Sequence, residues 1–458
     1  MQALAQDIRK LESLMRAGQW RQARKLVRQL IRRHPDRYDL INAHGGVLMG
    51  LNEPKKAKIQ FEMALKADPD YVPALDNLGN LHHKLGDSEA AIETYRRVLR
   101  VAPQNHDAYR KLALSKRFRT ENDPDLAALL AAAAKLTEPA QQRSLLFALG
   151  KAFDDLGQYS RAFGYFERGN AIARANSDYD VRRDVALMSN LAKWFAGGWT
   201  ARNLGAAPCP EGPVFVTGMP RSGTTLIEEL LHQRLGISPR GELPCLGRVF
   251  DRFSRRNPLR FSAGGLADLA LDTRARLGRE YLECADVKGP QSKKIIDKTP
   301  FNFRLIGFAL AIFSTAKIVV CRRRAGAIAF SNYSRDFTGG LRWSYDLRDL
   351  ARYYAAFEAL VGFWSGEPQC DFQVVEYEKL VAETDAVLLT LARGVGLPMN
   401  KSAHNKPSKR RLVATASAMQ VREKINPAGL DHWRAYKAFL SPFFAELEKA
   451  RRSPFDPN

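Results

Sequence analysis

Long apolar runs are missing from this sequence of 458 residues. No stretch reaches the roughly 18 apolar residues that a bilayer-crossing helix needs, so no transmembrane segment is expected. The first ten residues, Met1 to Lys10, also lack the apolar core of a secretory signal. Cysteine is scarce: Cys209, Cys245, Cys284, Cys321 and Cys370 are odd in number, widely spaced and free of any Cys-x-x-Cys pair. This usage argues against a disulfide framework and a zinc site, and predicts reduced thiols in a cytoplasmic protein. Acidic residues are short as well, 49 against 71 Lys and Arg, for a formal net charge of +22. Such an excess implies an anionic partner, whether a nucleotide-like ligand, a polyanionic substrate, nucleic acid or an acidic membrane surface.

A lysine is absent at one telling place. Val214 to Leu231 reads as a strand, a tight glycine turn and a helix, with Gly218 and Gly223 at the spacing of a phosphate-binding loop. Thr224 stands where nucleotide hydrolases carry the lysine that reaches the terminal phosphates. Arg221 lies inside the loop instead, and its planar fork can grip two oxygens of a phosphate or sulfate. The helix that follows is expected to bury Leu226, Ile227, Leu230 and Leu231, to turn Glu228 and Glu229 to water, and to offer its N-terminal amides to an anion.

What the chain does possess is length and an internal period. With 45% apolar content it can build two or more domains. Pro35, Pro69 and Pro103 are 34 residues apart, as are Ala23, Ala57 and Ala91, and Val27, Phe61 and Tyr95. That period is the tetratricopeptide one, in which two helices per unit pack small residues at their crossing with aromatics behind. Segments 36–69 and 70–103 are the clearest units, and the first 35 residues read as the second helix of an earlier one. A further copy at Leu149 to Gly169 is out of phase by three residues after the alanine-rich stretch Leu126 to Lys135, so an interruption or a longer unit is predicted. Such an array either binds an extended peptide or protein partner or buttresses its neighbour. The nine Lys or Arg against two acids in residues 1–35 read as a solvated face rather than a nucleic-acid site.

Beyond a Gly-, Pro- and Ala-rich linker the pattern changes to short apolar strands, Val214 to Val216, Lys317 to Cys321 and Phe372 to Glu376, between helical segments. An α/β fold with a parallel sheet follows. The predicted division is a helical repeat domain at 1–200, a linker at 201–212 and an α/β domain at 213–458. A second basic cluster runs from Arg322 to Asp336. If it is helical, Ser331 and Arg335 lie one turn apart on one face.

These residues carry a resemblance. Pro220-Arg-Ser-Gly-Thr-Thr225, then Arg323 with Ser331 eight residues on, then Glu376-Tyr-Glu378, look like the sulfotransferases that use 3′-phosphoadenosine 5′-phosphosulfate. Over Val214 to Tyr436, and with repeats in front, the chain resembles bacterial-type proteins related to protein-tyrosine sulfotransferases. The resemblance implies that Arg221, Ser222, Gly223, Thr224 and Thr225 bind the 5′-phosphosulfate. It implies Arg323, Ser331 and Arg335 on the 3′-phosphate, with Tyr377 supporting the nucleotide. A late loop from Ser417 to Asn426 would close over the donor through Gln420, Val421, Arg422 and Lys424, and Ser417 falls near the transferring group. Glu242, in a Gly-Glu pair, matches the family's acid-base residue. Lys298, in Asp297-Lys-Thr-Pro-Phe301, matches the cation at the bridging oxygen. The chain departs from the family where Arg323-Arg-Ala325 replaces Arg-Asp-Pro, and where Lys424 replaces a proline.

The implied activity is sulfuryl transfer to an acceptor hydroxyl, on a protein such as a peptidyl tyrosine or on a glycan. Because the transferring group bears little charge, no metal is expected, and Arg221, Lys298 and Ser417 would stabilise the transition state. Two other readings stand beside it: a phosphate-loop kinase or hydrolase, which the missing lysine opposes, and a non-catalytic repeat protein. No recognisable nucleic-acid module appears, so no nucleic-acid partner is expected.

Overall fold

A computed structural model describes residues 2–136, 138–196, 212–256, 269–287, 294–337, 340–367, 370–398 and 429–456. By packing, the chain divides into one unit at 1–172 and another beginning at Ala173.

The first unit is made of helices in pairs. Gln2–Arg16 pairs with Trp20–Arg33, Tyr38–Gly50 with Pro54–Ala67, and Val72–Leu85 with Ser88–Val101. The residues that mark the period are the ones the pairs bury: Ala23, Ala57, Ala91, Val27, Phe61 and Tyr95 are all at most 1% exposed. The 34-residue reading therefore holds, with one addition. The first 35 residues form both helices of the earlier pair, not the second alone.

Small residues are needed because an aromatic fills their Cβ space. A Cβ on Gly79 would stand 2.6 Å from the Tyr95 ring, and one on Gly45 would stand 2.3 Å from Phe61. The out-of-phase copy repeats the device, Gly150 facing Phe166 at 2.4 Å. Its displacement comes from an inserted helix, Pro124–Ala134, between His106–Ser115 and Pro139–Asp155, which pack on each other. Asp123 starts the insert by accepting the N–H groups of Asp125 and Leu126. Gly79→Ala is expected to destabilise by about 1–3 kcal/mol through overpacking, read as a lower denaturation midpoint.

The second unit takes in the Val181–Phe195 helix, which lies before the boundary at 200 that the sequence suggested. It packs on Leu347–Ser365, with Phe195 and Trp364 ring centres 5.4 Å apart. The predicted linker 201–212 lies outside the described residues except for Gly212.

At the centre of this unit is a five-stranded parallel sheet of β1 (Val214–Gly218), β2 (Ser238–Pro239), β3 (Ile295–Asp297), β4 (Lys317–Arg322) and β5 (Phe372–Glu376). Its order is β2-β3-β1-β4-β5. Strands β1, β4 and β5 match the apolar runs of the sequence. Strands β2 and β3 are two and three residues long, too short for any periodicity. One core layer joins Val214, Val216, Val319 and Cys321 of the sheet to Ile227 and Leu231 of the Thr224–Leu235 helix and to Leu388 and Leu391 of Thr384–Val395. Glu228 and Glu229, expected to face water, are instead 4% and 6% exposed. The helix is covered on both sides, and Glu228 accepts the N–H of Gly241 at 2.9 Å.

Cysteine usage is a second correction. Cys245, at the start of helix Cys245–Arg256, and Cys284, at the end of Leu271–Cys284, are joined by a disulfide with Cα atoms 5.7 Å apart. Two packed helices bring together residues 39 positions apart, a pairing that spacing alone cannot reveal. The cysteine argument for a cytoplasmic location lapses with it. Cys284→Ser, or a reducing buffer, is expected to remove about 3 kcal/mol of stability. An unchanged denaturation midpoint under reductant would show that the bond does not stabilise the fold.

Candidate active site

In a parallel sheet the loops that leave the carboxyl ends of the strands gather along one edge. Here each of the five strands ends in a candidate residue. Strand β1 runs into the 219–223 loop, β2 into Gly241 and Glu242, β3 into Lys298, β4 into Arg323, and β5 into Tyr377.

Two glycines of the loop are required by their surroundings. Gly218 has φ of 142°, and a Cβ there would lie 2.4 Å from the Cys321 carbonyl of the neighbouring strand. Gly223 has φ of 106°, and its Cβ would lie 2.3 Å from the Tyr377 ring. Tyr377 is thus pressed against the loop. Between the glycines Arg221 adopts φ of 72°, a conformation that costs a non-glycine residue energy and recurs at functional sites. The neighbours that impose it come from β4 and beyond. Asn332 donates to the Pro220 carbonyl at 3.0 Å, and Arg323 donates to the Arg221 carbonyl at 3.1 Å.

The side chains inside this cradle are positive. Arg221 donates Nε–H to the Ser331 hydroxyl at 3.0 Å, and the Arg323 guanidinium lies 4.7 Å from the centre of the Tyr377 ring. Burial first, then the charges of Arg335 and Arg323, hold the Arg221 guanidinium well below its ordinary range. Burial lowers Arg323 too, against the opposing pull of Tyr377 and Glu378. Three arginines so placed repel one another unless an anion lies among them. Among the described residues, the Ser222 hydroxyl and Arg323 Nε are buried without a hydrogen-bond partner. Thr224 and Thr225 open the helix at 5% and 7% exposure.

One detail of the second cluster differs from expectation. The helix Ala325–Tyr333 ends before Arg335, so Ser331 and Arg335 are not on one helical turn. Arg335 nevertheless comes near enough for its charge to act on Arg221.

Toward the β2 edge, Lys298 Nζ meets Glu242 Oε1 at 2.7 Å. The lysine side chain is 1% exposed and the glutamate 49%. The pair thus joins a buried ammonium to a carboxylate that solvent can reach. Burial pushes the nearby Cys321 thiol up, so it stays protonated behind the sheet. Ser417, Gln420, Val421, Arg422 and Lys424 lie outside the described residues. Asn332, Glu228 and Asp297 were not picked out as functional from sequence. Only Asp297 had a signal, as the neighbour of Lys298.

A lysine-free glycine loop, an arginine cluster and a carboxylate–ammonium pair thus stand at one edge of a parallel α/β sheet. Residues 213–401 match the model of the sulfotransferase family, and residues 9–72 and 57–204 match tetratricopeptide repeats. An uncharacterized protein of Aquifex aeolicus is 25% identical over 427 residues, covering 90% of this chain and 55% of that protein. Protein-tyrosine sulfotransferase 1 of Danio rerio is 27% identical over 194 residues, 41% of this chain and 54% of that one. The chain thus spans about half the length of the curated relatives it matches. Among solved structures, the sulfotransferase domain of the Synechococcus PCC 7002 olefin synthase aligns with 53% of this chain and 94% of that one, at 21% identity and a TM-score of 0.38. Among the described residues no helix is long and apolar enough to cross a membrane.

Proposed function

We propose that this protein transfers a sulfuryl group from 3′-phosphoadenosine 5′-phosphosulfate to an acceptor hydroxyl. The observation that supports this reading best is the arginine cluster of 221, 323 and 335 around a loop whose Ser222 hydroxyl has no partner. It fits a ligand with negative charge at two places, and the family of residues 213–401 is the one to which such a donor belongs.

In this reading the loop amides, Arg221, Ser222, Thr224 and Thr225 hold the 5′ end of the donor. Arg323, Ser331 and Arg335 hold the 3′-phosphate, and Tyr377 keeps the loop in shape. The donor supplies the sulfuryl group. Glu242 takes the proton of the acceptor hydroxyl while Lys298 neutralises charge beside it. Gln420, Val421, Arg422, Lys424 and Ser417 are assigned to the donor by the resemblance alone, and the reaction needs no metal. The acceptor is a hydroxyl-bearing protein or glycan, which the repeat unit helps to present.

Two measurements test this. Adenosine 3′,5′-bisphosphate is expected to raise the melting temperature, whereas ATP with magnesium is not; the reverse result would replace this reading with a kinase or hydrolase. Cell extract incubated with sulfur-labelled donor is expected to yield one labelled acceptor class, identified by mass spectrometry. Binding without any transfer would favour a non-catalytic protein.

A further inference from the structure

We propose that Asp297 is a positioning residue that clamps the Gly241–Leu243 turn, holding Glu242 in register with Lys298. The inference rests on the sulfotransferase reading for what the pair does, but not for the clamp itself.

Asp297 closes β3 and is fully buried. Neighbouring residues of a strand point to opposite faces, so Lys298 can serve the cleft while Asp297 works behind it. Tyr281 donates its hydroxyl to Asp297 Oδ2 at 2.8 Å, from a helix that the Cys284 disulfide fastens to Cys245. Thr299 Oγ1 lies 2.7 Å from Asp297 Oδ1 and 3.1 Å from the Leu243 carbonyl oxygen. The Leu243 N–H is among the groups that hold the Asp297 carboxyl down against burial. On the other side of the glutamate, Lys298 N–H donates to the Gly241 carbonyl at 2.9 Å, and Gly241 N–H donates to Glu228. Residues 241 and 243 are therefore held from both flanks, by Glu228 and Lys298 at one and by Asp297 and Thr299 at the other. Glu242 stands between them.

The carboxylate is a costly choice for a purely structural role. Burial raises its pKa from 3.8 to about 6, although Thr299 and Tyr281 pull the other way. A raised native value means that the group contributes stability below 3.8 and that this contribution is lost as pH rises through about 6. At neutral pH the fold carries an ionised, buried Asp297 at a penalty. A group retained under those terms is explained by what it holds, since the ionised form accepts from Tyr281 and fixes the Thr299 hydroxyl that lies beside the Leu243 carbonyl.

The test compares wild type, Asp297→Asn and Tyr281→Phe by amide exchange of residues 240–247, melting temperature at neutral pH, bisphosphate binding and labelled-donor turnover. Asp297→Asn is expected to exchange at Leu243 at least about tenfold faster and to turn over about 10- to 100-fold more slowly, the scale of a small misplacement of a reacting group. Bisphosphate affinity should hold, the melting temperature at neutral pH should not fall, and its stability should lose the pH dependence between 3.8 and about 6. Tyr281→Phe, which removes one donor and keeps the charge, should show a smaller effect of the same kind. Unchanged Leu243 exchange in both variants overturns the proposal, as does a joint collapse of melting temperature and binding in both. Because exchange needs no donor, it decides on the clamp even if the wild type proves to bind no bisphosphate, a result that would defeat the sulfotransferase reading alone.

Discussion

Glu242→Ala is expected to lower sulfuryl transfer by roughly 10² to 10⁴-fold, the range that a positioned general base contributes. The reason lies in the geometry: the carboxylate is half exposed at the rim, while its partner Lys298 is 1% exposed and held 2.7 Å away. An acceptor hydroxyl is a poor nucleophile until its proton is removed. Adenosine 3′,5′-bisphosphate should still bind, because the cradle of 218–225 and Arg323 leave from other strands. Glu242→Gln separates the two duties of the side chain. It keeps a hydrogen-bond acceptor for Lys298 but cannot take a proton, so it should lose turnover to nearly the same extent. Calorimetry of the bisphosphate beside single-turnover kinetics checks both variants. Full activity in Glu242→Gln would move the base elsewhere.

Arg221→Ala should separate stability from function in opposite directions. The guanidinium is desolvated and crowded by Arg335 and Arg323, which is why its pKa is pulled down. Removing it relieves like-charge repulsion, while the strained φ of 72° stays, because alanine is no freer than arginine in that region. In buffer without phosphate or sulfate the variant should melt no lower than the wild type, and we expect a rise. Its affinity for the bisphosphate should fall by about 10²-fold, since charge-assisted bonds to an anion contribute about 1.5–3 kcal/mol each. The pair of observations, a firmer empty protein and a weaker complex, is what an anion site produces and a structural arginine does not. A variant that loses stability and keeps its affinity would remove Arg221 from the site. Salt should narrow the difference in affinity only modestly, because the group is largely shielded from solvent.

How much was readable beforehand differs between the two units. In the repeats, a helix pair needs a small residue and an aromatic 16 positions apart, as at Gly79 and Tyr95, so spacing along the chain is spacing in the packing. What it missed was the inserted helix Pro124–Ala134, whose alanines give no face and no period. In the catalytic unit the loop at 218–223 was legible because a tight turn beside a strand restricts two positions to glycine. Arg323, Tyr377 and Lys298 were legible as residues of a motif, not as neighbours, since each comes from a different strand end.

The sequence by itself determined the repeat period, the parallel α/β class, the lysine-free loop and the identity of the charged residues around it. Those are local matters, carried by periodicity, by glycine and by side-chain type. The tertiary structure alone decided which of them meet: the pairing of Glu242 with Lys298, the repulsion within the arginine cluster, the burial of Glu228, the Cys245–Cys284 bond and the bonds of Tyr281 and Thr299 to Asp297. Strand order in a parallel sheet is set by crossovers through helices, and residues some 56 positions apart, as 242 and 298 are, become partners only when β2 and β3 lie side by side.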